Sequence, residues 1–177
     1  EQRARTGLTN PNFLAVAMVA EVLGIESQVW AKVFADFKGV EHRLEKVRVV
    51  NGVEFINDSK ATTAEAGRWA LERMDRPIVL LCGGRDKNID FSVLKELVGQ
   101  KVKKFLAFGE ARQKLSGVFQ DVVPVEECVR LEDAVLRARA LAVPGDCVLL
   151  SPMCTSYDAF ANFEERGRFF KNLVNTL

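Results

Sequence analysis

The chain is 177 residues long, 48% hydrophobic and 28% charged, enough apolar material for a globular core and inconsistent with a disordered or collagen-like chain. Its 25 Lys and Arg residues balance 24 Asp and Glu residues, and a formal net charge of +1 argues against a dedicated nucleic-acid binder, which would carry a basic excess or stripe. A small anionic ligand stays compatible with this balance, because its site needs only a few local charges. The apolar run at residues 13–20 is far shorter than the ~20 residues of a membrane helix, so no span is expected. No signal-peptide pattern follows Glu1, and there is no initiator Met, which reads as a chain beginning inside a longer protein. Four cysteines, Cys82, Cys128, Cys147 and Cys154, form no C-x-x-C pair. They read as buried free thiols in a reducing cytoplasm rather than as a disulfide framework.

In chain order, residues 12–24 read as a mostly buried helix, with Asn10 or Asn12 as its cap and Gly24 as its end. Ser27 is placed to cap a second helix through residue 37, with Val29, Val33 and Phe37 on one face. Two such helices rarely make a domain, so residues 1–38 are read as the helical tail of an incomplete domain and residues 39–177 as a second, complete one. Past Gly39 the pattern changes. Alternating apolar residues flank Asn51-Gly52, a pair that tolerates the positive φ angles of a type I′ turn, and predict a hairpin. Strands are then predicted at 78–82, 102–108, 122–125 and 147–150, between helices near 62–74, 91–98, 110–119, 131–142 and 158–177. Continuous apolar strands alternating with helices predict an α/β, Rossmann-like fold: a mostly parallel sheet with one antiparallel hairpin strand and helices on both faces.

In open α/β sheets ligands bind beyond the carboxyl ends of the strands. The polar and glycine-rich stretches fall there: Asn57-Asp58-Ser59-Lys60-Ala61-Thr62, Gly83-Gly84-Arg85-Asp86-Lys87, Gly109-Glu110 and Ser151-Pro152-Met153-Cys154-Thr155-Ser156. Thr62-x-x-Glu65 fits a capping box, predicting a helix start at Thr62 whose first N–H groups face the rim. Lys87 is either solvated or a partner for a carboxylate or phosphate. His42 and Arg43 precede the first strand, and Arg43 has the fork geometry to meet a phosphate or an aspartate. With one histidine and no cysteine pair, neither a Ser-His-Asp constellation nor a zinc site is expected.

Four ordered motifs carry a family resemblance: Gly39-Val40-Glu41-His42-Arg43-Leu44-Glu45; Asn57-Asp58-Ser59-Lys60-Ala61-Thr62; Gly83-Gly84-Arg85-Asp86-Lys87; and Ser151-Pro152-Met153-Cys154-Thr155-Ser156-Tyr157-Asp158 with Phe160, Asn162-Phe163-Glu164 and Arg166-Gly167. They resemble elements of the Mur ligases, in particular their D-glutamate-adding branch. That resemblance implies an ATP- and Mg2+-dependent ligase. It would phosphorylate the carboxylate of UDP-N-acetylmuramoyl-L-alanine and join D-glutamate through the acyl phosphate, as a cytoplasmic monomer. It implies that Asn12, His42, Arg43 and Asp58 serve the nucleotide, and that Lys60, Thr62, Lys87, Ser156 and Phe163 serve D-glutamate. No G-x-x-x-x-G-K-[ST] phosphate loop occurs, so no complete catalytic set and no metal site are expected within these residues, which alone should be inactive. Leu8-Thr9 replaces the family's His-Asn pair, and Thr63 stands where the family commonly has Asn. Two other readings are a non-catalytic, flavodoxin-like ligand-binding or interaction module and another ATP-dependent amino-acid ligase of the superfamily.

Overall fold

The structure, a computed structural model, describes residues 11–177, so the expected cap at Asn10 and the Leu8-Thr9 pair lie outside the described residues. The chain divides into two compact units, Glu1–Gly39 and Val40–Leu177.

The first unit holds α1 (Pro11–Val22) and α2 (Ser27–Asp36). Phe13 stacks on Phe34 with ring centroids 4.6 Å apart and meets Phe37 edge-on. Gly24 ends α1 in the left-handed region (φ +70°), where the Ile25 N–H reaches back to the Ala20 carbonyl. The expected mostly buried first helix is corrected: Ala17 and Ala20 are buried, whereas Val16, Met18, Val19 and Val22 are exposed. A helix pair can cover only one stripe of each partner, and this sequence is apolar beyond that stripe. Val29, Val33 and Phe37 are likewise exposed. Ser27 is the first helical residue, and Glu26 takes the cap position without a side-chain bond.

The second unit is a six-stranded sheet in the order β1-β2-β6-β3-β4-β5, comprising β1 (Glu45–Val50), β2 (Val53–Asn57), β3 (Ile78–Gly83), β4 (Val102–Phe108), β5 (Val125–Cys128) and β6 (Cys147–Met153). Only β1 runs antiparallel, joined to β2 through Asn51 (φ +51°) and Gly52 (φ +78°), the paired positive angles of the expected turn. The helices are α3 (Ala64–Glu72), α4 (Lys95–Lys101), α5 (Arg112–Phe119), α6 (Leu131–Leu141) and α7 (Phe163–Thr176), with a 3-10 turn at Ser92–Leu94.

Strand alternation sorts the core into two layers. Ile78, Leu80 and Cys82 of β3 pack with α3, α4 and α5, whereas Val79 and Leu81 pack with α6 and α7. Every residue of β3 and β6 is buried. Each such aliphatic side chain contributes about 1.5–3 kcal/mol by leaving water, which is why a parallel sheet needs both faces covered.

Several boundaries move. The short strand expected at 122–125 lies at Val125–Cys128, because Pro124 uses its carbonyl to receive the Phe105 N–H and pairing with β4 starts one residue later. The strand expected to stop at Leu150 continues through Pro152 to Met153. Between Leu81/Gly83 and Leu150/Met153 the register shifts, and this irregularity accommodates a proline that cannot donate to the ladder. The last helix begins at Phe163 rather than 158, since the Asn162 side chain caps it by accepting the Glu165 N–H. The helix expected from 62 starts at Ala64: Thr63, not Thr62, is the N-cap, and its hydroxyl accepts the Ala66 N–H. The helix expected at 91–98 is a 3-10 turn leading into α4, and that expected from 110 begins at Arg112.

Candidate functional site

The carboxyl ends of β2, β6, β3 and β4 meet at one rim, and β6 lies beside β3 where the strand order reverses. Two glycines make the approach of the loops possible. Gly83 (φ +151°) and Gly84 (φ +124°) occupy backbone angles that L side chains rarely adopt. A Cβ on Gly83 would strike the Phe108 carbonyl, and one on Gly84 the Thr155 carbonyl. The next residue, Arg85, forms a two-way backbone bridge with Thr155: Arg85 N–H donates to the Thr155 carbonyl (2.9 Å) and Thr155 N–H to the Arg85 carbonyl (3.1 Å). The loop carrying Lys87 is thereby tied to the loop carrying Ser156.

A buried cation ties in the third loop. Arg166 of α7 is fully buried and donates from Nε to Ser59 Oγ (3.0 Å), from Nη2 to the Ser59 carbonyl (2.9 Å) and from Nη1 to the Cys154 carbonyl (3.1 Å). Ser59 Oγ in turn donates to the Phe163 carbonyl (2.8 Å). Burial pulls the guanidinium down to about 10, so it remains charged at neutral pH and serves as a rigid fork. Arg166 is among the residues of the fourth motif, with no role expected of it from the sequence. Its signal was helical spacing: positions 163, 166, 167, 170 and 174 share one face, and an arginine among phenylalanines on that face is a core cation.

The expected nucleotide residues cluster in part. Asp58 is buried; its Oδ1 accepts the Leu44 N–H (3.2 Å) and its Oδ2 the Ser151 hydroxyl (3.1 Å). Burial raises its carboxyl to about 6, against the pull of those donors and of Arg43. Asp58 and Arg43 share a cavity of about 260 Å³ with Ala61, Glu65, Ala66 and Trp69. His42 sits in the left-handed region (φ +63°) and is buried. Its Nδ1 lies 2.9 Å from Asn57 Nδ2, an amide that also donates to Glu45 Oε2 (3.0 Å). Nδ1 is therefore the acceptor and the proton lies on Nε2, which has no hydrogen-bond partner among the described residues. Burial lowers the imidazole pKa and keeps the ring neutral. Asn12 lies in the first turn of α1, in the other unit.

The expected D-glutamate residues surround the same rim. Lys60 Nζ stands over the Phe163 ring, 5.1 Å from its centroid, and the His42 ring meets Phe163 edge-on at 6.1 Å. Ser156 is buried, Thr62 is half-buried, and Lys87 is exposed with no ion-pair partner among the described residues. The neighbours of Lys87 are occupied: Arg85 makes a two-pronged pair with Glu110 (2.9 and 3.0 Å), and Asp86 holds Lys114 (2.6 Å).

The four thiols are unpaired and buried. Burial raises Cys147 and Cys154 to about 12, which leaves them inert. Among the described residues, one grouping, Glu41, His42 and Glu45, has the spacing of a metal site. Lys171 Nζ already neutralises both carboxylates, at 3.0 Å from Glu41 and 2.5 Å from Glu45. An imidazole and a resident ammonium do not fit magnesium, which demands an oxygen shell.

Residues 42–154 match the family described as "Mur ligase, glutamate ligase domain". The chain is 48% identical over 166 residues to the UDP-N-acetylmuramoylalanine–D-glutamate ligase of Pelodictyon phaeoclathratiforme, covering 94% of this chain and 36% of that protein. Its likeness to the enzyme of the same name from Salinibacter ruber is 46% over 167 residues, covering 94% and 36% respectively. The chain thus spans about a third of the length of the curated relatives it matches. Among solved structures, Escherichia coli FolC in complex with ADP superposes with a TM-score of 0.69 at 15% identity, covering 96% of this chain and 40% of that one. MurF ligase from Thermotoga maritima in complex with ADP gives 0.65 at 17% identity, covering 93% and 38%. At such identities these two speak for the fold alone. The matched span runs from His42 to Cys154 and takes in β1 to β6, so the chain belongs to the Mur ligase family through its glutamate ligase domain.

Proposed function

We propose that these residues are the C-terminal part of an ATP-dependent ligase that joins D-glutamate to UDP-N-acetylmuramoyl-L-alanine. The observation that carries this reading is the near-half identity, over 94% of the chain, to ligases bearing that activity in their name. In the reaction the ATP γ-phosphoryl passes to the substrate carboxylate, giving an acyl phosphate and ADP. The D-glutamate amine then attacks the acyl carbon, phosphate leaves with the C–O electron pair, and the amine proton passes to solvent. Residues 1–38 are read as the tail of the nucleotide-binding domain, in line with the exposed Val16, Val19, Val22, Val29 and Val33. ATP and Mg2+ belong to the reading as well; no described residue set here fits the ion, and no step is assigned to it.

Within this scheme Asp58, ionised above about pH 6, accepts from ribose hydroxyls, and Arg43 meets phosphate. His42 Nε2–H is a buried donor without a hydrogen-bond partner among the described residues, and Asn12 is the fourth nucleotide residue of this reading. Lys87 and Lys60 neutralise the two carboxylates of D-glutamate, while Thr62 and Ser156 supply hydroxyls and Phe163 walls the pocket. The buried unpaired thiols suit a reducing cytoplasm, and no second copy is needed to build the rim. Among the described residues no helix is long and apolar enough to cross a membrane.

The test is steady-state kinetics of the complete polypeptide. Lys87→Ala is expected to raise the D-glutamate KM at least about tenfold with the ATP KM unchanged, the loss of one charge-assisted contact. An unchanged D-glutamate KM removes Lys87 from the site, and activity with L-glutamate equal to that with D-glutamate sinks the substrate assignment.

A further inference from the structure

We propose that Trp69 is an aromatic wall of the nucleotide pocket, stacking on the nucleoside whose ribose Asp58 holds and whose phosphates Arg43 meets. This rests on the nucleotide reading above and adds to it a residue that no motif contains.

The buried residues of α3 are Ala64, Gly67, Ala70 and Leu71, which form its core face. Trp69 lies off that face and is 40% exposed, so folding supplies no reason for so large an apolar group there. It lines the 260 Å³ cavity together with Arg43 and Asp58, and the small side chains of Ala61 and Ala66 keep the space between them open.

The lining is chemically complete for part of a nucleotide. Each oxygen of Asp58 accepts one hydrogen bond and keeps capacity for another, which suits vicinal hydroxyls. The Arg43 guanidinium has no ion pair among the described residues. The indole offers a flat face, and its orientation is held: the Arg73 guanidinium lies 3.7 Å from the ring centroid, while Arg73 Nη1 donates to the Trp69 carbonyl at 3.1 Å. Arg73 covers only one face of the ring. Stacking a base on an aromatic face is favourable and indifferent to base edges, so it fixes position rather than identity. The cavity is smaller than the ~300–1,000 Å³ usual for a whole small-molecule ligand, which fits a ribose and the near side of a base with the remaining contacts supplied elsewhere.

The experiment uses the complete polypeptide labelled with 5-fluorotryptophan, with ADP affinity measured by calorimetry. Trp69→Ala is expected to weaken ADP about tenfold and Trp69→Phe no more than about threefold, because phenylalanine keeps a stacking face. The fluorine resonance that disappears in Trp69→Phe should shift on adding ADP and stay in place with pyrophosphate. Unchanged ADP affinity in Trp69→Ala, with a resonance indifferent to ADP, overturns the inference. If Asp58→Asn still weakens ADP in that case, the nucleotide reading itself survives. If ADP binds equally to wild type, Asp58→Asn and Trp69→Ala, that reading falls too.

Discussion

Asp58 and Arg166 are both charges kept in the interior, and they are solved differently. Arg166 places one donor from each of its three nitrogens on two carbonyls and a hydroxyl. Burial raises the Asp58 carboxyl to about 6, since its two donors and the Arg43 charge only partly offset the lost hydration. The ordinary aspartate value is about 3.9. Between these two pH values the folded chain holds a proton that the unfolded chain has lost, so stability falls as pH rises through that window. Asp58→Asn removes the ionisation cost while retaining an acceptor for Leu44. It should stabilise the fold at pH 8 by on the order of 2–3 kcal/mol more than at pH 4. Urea unfolding at both pH values checks this; an identical offset at the two contradicts the assignment. Asp58 stood out in the sequence because it follows a strand at the carboxyl-end rim and lies in the Asn57–Thr62 motif. Arg166 did not, since a single arginine reads as solvent-facing until its helical neighbours are placed around it.

At the scale of elements, local turn chemistry was the most legible layer. Asn51-Gly52 specifies its hairpin because both residues accept positive φ, and the alternation of β3 between two core layers follows from a run with no polar break. The end of β6 moves for a different reason: a polar residue and a proline do not end a strand where tertiary pairing carries the backbone further. Ser151-Pro152-Met153 stays in the sheet because β3 lies alongside and the Met153 N–H finds the Ala61 carbonyl (2.8 Å). Two adjacent threonines made the start of α3 ambiguous, and only the backbone chooses Thr63. Thr63→Ala should therefore cost about 1 kcal/mol of stability, the worth of one N-cap, whereas Thr62→Ala should cost a few tenths at most. Chemical denaturation of the two variants reads the difference, and reversal of their order would return the cap to Thr62.

The whole molecule is two units of unequal self-sufficiency. Residues 40–177 contain both core layers, covered helices and the rim contacts, whereas among the described residues of the first unit most large apolar side chains are exposed. A protein of residues 40–177 alone is expected to unfold in a single cooperative transition, with coincident far-ultraviolet circular dichroism and tryptophan fluorescence curves. Two separated transitions would show that the unit is not one core. Fold class was readable from alternating strands and helices, but the division of labour at the rim depends on which strands become neighbours. That neighbourhood is fixed by a crossover returning β6 between β2 and β3 from far along the chain.

The backbone bridge between Arg85 and Thr155 gives that neighbourhood a mechanical meaning. Neither glycine beside it can be widened, and the loops cannot part without breaking both backbone hydrogen bonds, while displacement of the Cys154 carbonyl would also take from Arg166 Nη1 its acceptor. The two loops therefore share one opening event with a single free energy. On the function proposed above, an amino acid held by Lys87 on one side and Ser156 on the other would meet loops of fixed separation, which select by length.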